Sequence, residues 1–376
     1  MEIYLFIFAL PVLLSLLLRG VKKVSLRNNL VVWIFFTFLY FFMILRDFSV
    51  GRDILGYRDV YMSAGDYPWF YSRWTYMESG YVFLMKLGNV LGMSFRTFMA
   101  FLYLIILVPI AMFISRTSKD VVLSIIIYIC FQFFVSDMSA LRQMTSLGLC
   151  VLAFLRARNN GILPFLEFCV IVVAATLIHK GAIVFLLAYF MMRIPLNWKM
   201  AVVYSLALVV AYYYRGTILR FLQDAELTHY EMSETLSVGS SFIFMVAVAG
   251  IAFFTMRKSK AVNTGLHLKR SILAPRGKIE LGVLNYANLL LCGVILLYTF
   301  SGTPLMRAGI TYQIALVTIL PNMTEYLHPS LRKPVRIAIA LLMLFVFYNT
   351  VLLPNQFDIV PYSLGHDVST AWVDVM

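Results

Sequence analysis

Twelve apolar stretches recur along this 376-residue chain, near 3–18, 30–45, 97–115, 120–135, 138–155, 162–178, 180–192, 200–214, 241–256, 281–299, 306–321 and 336–353. A helix that crosses the hydrocarbon core of a bilayer needs ~20 apolar residues, fewer where the helix is short or a site sinks into a funnel. So many stretches in one chain exclude a soluble core: 61% of residues are hydrophobic and 13% charged, with a mean hydropathy of +0.85. The predicted fold is an all-α polytopic membrane protein with about 12 transmembrane helices, one integral membrane domain over residues 1–376. A further apolar segment, 80–92, is only about three turns long and reads as re-entrant or interfacial. No internal repeat stands out.

Charge orients this array. Arg19, Lys22 and Lys23 follow the first stretch instead of preceding it, which predicts a span with its N-terminus outside and no cleavable signal. With that orientation the C-terminus is also outside, and 20 of the 31 basic residues but only 4 of the 18 acids fall in inner loops. The same count splits 162–192 into a short hairpin at His179, because one long helix would carry the basic 257–279 loop to the outer side. The net charge of +13 thus follows the positive-inside rule and does not point to nucleic acid. Cys130, Cys150, Cys169 and Cys292 sit in apolar runs without CxxC spacing and read as small core hydrophobes. Three outer segments remain: 46–81, rich in charge and aromatic residues, 215–240, and the tail 354–376.

Residues 137–149, DMSALRQMTSLGL, carry Arg142 and Gln143 into the start of an otherwise apolar span. A guanidinium stays charged at any reachable pH and is costly to desolvate unless paired. On the predicted topology the other unusual polar residues converge on the same face. Arg52, Asp53, Tyr57, Arg58 and Glu78 come from the first outer segment, His179 and Lys180 from the hairpin turn, and Arg307 from beyond the SGTP break at 301–304. Taken singly, each has a plain structural reading. Arg142 fits a snorkelling arginine and His179 with Lys180 an interfacial anchor. The VGRD sequence at 50–53 fits an ordinary turn, and Glu78-Ser79-Gly80 a helix cap. Tyr67, Trp69, Tyr71, Trp74 and Tyr76 fit an aromatic belt as well as a sugar-stacking platform.

Together the group suits one chemistry. Arg52, Arg142 and Arg307 are suited to gripping phosphate oxygens by forked hydrogen bonds, as a lipid pyrophosphate head requires. A histidine or carboxylate beside a sugar hydroxyl takes its proton as it attacks an anomeric carbon, while arginine offsets the charge on the departing pyrophosphate. The outer segments hold no DxD pair and no clustered His or Cys, so no metal site is expected, and the absence of a P-loop or GxGxxG motif gives no nucleotide site or cofactor.

Five blocks resemble, in order, those of the EpsG family of exopolysaccharide polymerases, within the broader Wzy class. They are VGRDILGYRDVY, MESGYVFLMKL, MSALRQMTSLGLCVLAFL, ATLIHKGAIVFL and MRAGITYQIALVTILP, and the resemblance covers roughly residues 45–322. It implies a metal-independent glycosyltransferase of the bacterial cytoplasmic membrane with its active site facing the periplasm or exterior. Such proteins transfer a growing chain from undecaprenyl pyrophosphate onto the next lipid-linked oligosaccharide unit, releasing undecaprenyl pyrophosphate, and usually work with a chain-length regulator. By similarity, Arg52, Asp53, Glu78, Arg142, Gln143, His179 and Arg307 occupy the family's polar positions, and neither the topology nor the resemblance assigns the base. On the residues' chemistry, Arg142 and Arg307 are expected to bind pyrophosphate with Arg52 assisting. His179 is the first choice of acceptor-side base and Asp53 the second, and Glu78 orients an arginine. Gln143, Tyr57, Arg58 and Lys180 complete the substrate site. The family's usual small hydroxyl residue after His-Lys is Gly181 here.

Two rivals belong to other classes. A flippase for the same lipid-linked oligosaccharides needs a polar path to both faces, often with inverted repeats, whereas the inner halves of these spans are apolar apart from Glu167. An outer-face acetyltransferase needs an inner-face histidine within a span, and none is present.

Overall fold

The computed structural model of the protein describes residues 2–66, 69, 77–131, 133–224, 240–257, 277, 279–300, 307 and 309–365. Tyr67, Tyr71, Trp74, Tyr76, most of the 215–240 segment, nearly all of the basic 257–279 loop and the SGTP break lie outside the described residues.

Among the described residues the protein is helical, with no strand. The helices are α1 (Glu2–Leu17), α2 (Val24–Leu45), α3 (Ile54–Ser63), α4 (Ser79–Val90), α5 (Phe95–Thr117), α6 (Val121–Cys130), α7 (Phe133–Ser139) and α8 (Leu141–Ala157). They continue with α9 (Ile162–Ile178), a 3-10 helix Lys180–Leu187 that runs into α10 (Ala188–Met191), α11 (Trp198–Asp224) and α12 (Ser240–Arg257). The last are α13 (Val283–Thr299), α14 (Ile310–Gln313), α15 (Leu316–Met323) and α16 (Pro329–Phe347). By length and composition four helical segments suffice to cross a bilayer: Glu2–Gly20, Val24–Leu45, Phe95–Thr117 and Pro329–Leu352. The bent pair α6–α7 makes a fifth if it is one span, and α9, α13 and the Lys180–Met191 segment are shorter apolar helices.

The stretches that were read as continuous runs at 120–135 and 138–155 are divided differently. The helix breaks after Cys130 and again at Ala140, so that α7 stands as a separate piece. Polarity accounts for this piece. Asp137 is fully buried in α7 and accepts a hydrogen bond from the Tyr128 hydroxyl of α6. A buried carboxyl needs a hydrogen-bond partner, and the 51° bend between α6 and α7 leaves Tyr128 placed to supply it.

Helix α8 is the centre of the packing. It lies along α9 on one side and α5 on the other, and it is buried on almost every face. Its hydroxyls are satisfied within the bundle: Thr145 donates to Leu141 O (2.7 Å) and Ser146 to Ala175 O of α9 (3.0 Å). The outer face of α9, by contrast, exposes Leu163, Leu166, Val170, Val173 and Leu177, an apolar stripe suited to lipid.

The chain between α2 and α3 is held by the C-terminal segment. The amides of Asp47, Gly51 and Arg52 donate to Ser363, Asp358 and Phe357, and Gly365 donates back to Leu45. Gly51 adopts φ +111°, and a Cβ there would sit 2.4 Å from Met138 O. Only glycine permits both the conformation and the approach, which seats the start of α3 against the α7–α8 break.

Candidate active site

Four short joints bring polar side chains to the N-terminal end of α8. Ala140 interrupts the helix there, and Arg142 follows in the first turn. Glu78 is the N-cap residue of α4 but makes no side-chain bond to its own helix. It turns across to α8 instead, where Arg142 Nη1 donates to Glu78 Oε2 at 2.8 Å. His179 closes α9 with an extended backbone (φ −149°, ψ 111°), and its Nδ1 stands 3.4 Å from Glu78 Oε1, a contact of ion-pair length that does not make a hydrogen bond. The Lys180 amide donates to the same Oε1 at 2.9 Å. One carboxylate therefore joins α4, α8 and the α9 hairpin turn.

Gly80 makes this junction possible. A Cβ at that position would lie 2.5 Å from Leu177 O, so the first turn of α4 rests directly on the last turn of α9. Glu78, two residues before Gly80, and His179, two residues after Leu177, are thereby set side by side.

Burial shapes the electrostatics. The side chains of Arg142, Glu78 and His179 are 14%, 10% and 15% exposed. Burial pushes the Glu78 carboxyl up, but the His179 imidazole, the Arg142 guanidinium and the Lys180 amide together outweigh it and hold the carboxyl below its ordinary 4.5. The carboxylate is thus ionised at neutral pH. His179 Nε2 is shielded from solvent and has no hydrogen-bond partner among the described residues.

Tyr57 extends the cluster from α3. Its ring meets Tyr81 edge to face at 5.7 Å, and burial raises its phenol against the pull of Arg142, with Asp53 and Arg307 also within electrostatic reach. Asp53, at the N-cap of α3, accepts a hydrogen bond from Ser139 at 3.5 Å, beside the α8 break. Arg307 is exposed ahead of α14. Gln143 is half-buried and makes no side-chain hydrogen bond among the described residues.

Two of the expected residues are engaged elsewhere, and a third joins the cluster through its backbone alone. Arg52 is exposed and reaches Gln356 O at 3.4 Å, on the C-terminal segment. Arg58 lies over the Phe48 ring at 5.5 Å. Lys180 contributes its backbone amide to Glu78, while its side chain is exposed. No group of three metal-binding side chains occurs among the described residues.

The structure adds polar residues that the motifs leave out. Arg46 is fully buried and donates to the Tyr103 hydroxyl at 2.8 Å, beneath the loop that carries Arg52 and Asp53. Asp137 and Tyr128 form the second such pair. A carboxylate within an apolar run was the available signal for Asp137. For Arg46, at the end of an apolar helix, there was none.

The model of the EpsG family matches residues 29–364, which includes every residue of this cluster. The chain belongs to the EpsG family. No curated protein and no solved structure gives a significant match. Membership points to a membrane-associated polysaccharide polymerase, a glycosyltransferase in the general sense, and the apolar helices agree with a membrane protein.

Proposed function

We propose that this EpsG-family protein joins oligosaccharide repeat units carried on undecaprenyl pyrophosphate, at the outer face of the bacterial cytoplasmic membrane and without a metal ion. The observation that carries the reading is the shared carboxylate. Glu78 holds a largely shielded arginine on one oxygen and faces a largely shielded histidine on the other.

In this reaction an acceptor hydroxyl attacks the anomeric carbon of the donor. The new carbon–oxygen bond forms as the bond to pyrophosphate breaks, and the leaving group departs with the electron pair. Arg142, at the N-terminal end of a buried helix, meets the growing negative charge, and both its guanidinium and the helix dipole favour an anion there. Arg307 adds a second cation, within electrostatic reach of Tyr57. Glu78 directs the Nδ1 proton of His179 toward itself, which leaves the Nε2 lone pair to take the hydroxyl proton. Asp53, exposed and set beside Ser139, is the second candidate for that role. A chain-length regulator is the expected protein partner.

The test uses purified protein in detergent with a synthetic undecaprenyl-pyrophosphate repeat unit and neither metal nor nucleotide. A ladder of products on a gel, lost in His179→Ala, is the expected result. Transport of labelled units across liposomes by protein that forms no ladder would replace this reading with a flippase.

A further inference from the structure

The site is asymmetric in a way that an arginine-orienting role for Glu78 does not explain. Of the two contacts that a carboxylate shares between a cation and an imidazole, the one to Arg142 is short at 2.8 Å and the one to His179 long at 3.4 Å. Oε1 is fixed by the Lys180 amide at 2.9 Å and stays next to His179, whereas Oε2 is held by Arg142. The backbone beneath Glu78 has no room to shift, because Gly80 already rests on Leu177 O. Any rearrangement must therefore come from the side chain.

A pyrophosphate group brings more negative charge than one carboxylate and offers several oxygens to a forked guanidinium, so it competes with Oε2 for Arg142. We propose that Glu78 changes partner when the donor binds: it yields Arg142 to the pyrophosphate and closes on His179. Glu78 then holds Arg142 before the donor binds and is a positioning residue for the base afterwards. The histidine is fully oriented only once a leaving group is in place, which keeps the acceptor hydroxyl from being activated against an empty site. This inference rests on the polymerase reading above.

Inorganic pyrophosphate serves as the probe, with its affinity measured by calorimetry on the detergent-purified protein. Partner exchange predicts that Glu78→Gln binds pyrophosphate several-fold more tightly than wild type, because a competing anion is gone, while product formation falls by about 10²-fold for want of an oriented base. If Glu78 only orients Arg142, the same variant binds pyrophosphate more weakly, and that result overturns the proposal. A second measurement needs no variant of Glu78. The imidazole N–H proton resonance of His179, one of 5 histidines and assigned by its loss in His179→Gln, moves downfield on adding pyrophosphate to wild-type protein as its hydrogen bond forms. An unmoved resonance at saturating pyrophosphate sinks the exchange. Either negative result in a protein that still forms a product ladder leaves the polymerase reading standing. Absence of both the ladder and pyrophosphate binding removes that reading and the inference with it.

Discussion

At its N-terminal end, helix α8 presents Arg142 to Glu78 through one nitrogen at 2.8 Å, with side chains 14% and 10% exposed. At its C-terminal end Arg156 grips Glu167 of α9 through two, Nε and Nη2, each at 2.7 Å, with side chains 50% and 30% exposed. The second pair has the better geometry and the first the drier setting. Both carboxylate oxygens of Glu167 are taken up by a single arginine, so that pair is closed and simply pins α8 to α9. Glu78 spends one oxygen on its arginine and offers the other to His179 and the Lys180 amide. The Arg156 pair is saturated and solvated, whereas the Arg142 pair is shared and shielded.

The sharpest way to break this contrast is to change each arginine to lysine, which keeps the charge and removes the fork. Arg142→Lys should lower polymer formation by at least about 10²-fold while the protein stays in the membrane, since a point charge does not reproduce bidentate contact with pyrophosphate. Arg156→Lys should leave the product ladder at wild-type length. Equal ladders from the two variants would show that the two ends of α8 are equivalent and that Arg142 has no special part.

How far this contrast can be read from the sequence depends on which contacts are local. The break at His179 is legible because the charge balance requires a turn there, and α4, expected near 80–92, forms at Ser79–Val90 after the Glu-Ser-Gly signal. Arg142 is conspicuous as a cation in an apolar run. Its partner is not: Glu78 lies 64 positions earlier, and their meeting depends on Gly80 resting on Leu177 O, a feature of packing and not of pattern. The Lys180 contact is invisible for a further reason, since it is made by a backbone amide that any residue but proline would supply. The C-terminal segment gave no sign that it would hold the Arg46–Arg52 loop. Its residues bond through main-chain carbonyls, and that also diverts the Arg52 guanidinium to Gln356.

The next comparison is energetic. Glu78→Ala leaves Arg142 shielded and without this carboxylate, a change that costs roughly 3–5 kcal/mol for a buried pair. Glu167→Ala exposes an arginine already half in solvent and should cost about 1 kcal/mol or less. Thermal unfolding in one detergent at neutral pH measures both. A larger loss from Glu167→Ala would reverse the assignment of which pair is the solvated one.

The smallest effect separates wild type from Glu78→Gln along the pH axis. The folded protein holds the Glu78 carboxyl below its ordinary 4.5, so this group releases its proton more readily folded than unfolded. The stabilisation that follows is complete above the unfolded value and is lost as pH falls through the lower folded one. Wild type should therefore melt above Glu78→Gln from pH 7 down to about 5, and the gap between them should narrow as the carboxylate protonates on further acidification. A gap that stays constant through the acid limb would mean that Glu78 is held by shape alone. Its place between Arg142 and His179 would then owe nothing to the charge that makes it exchangeable.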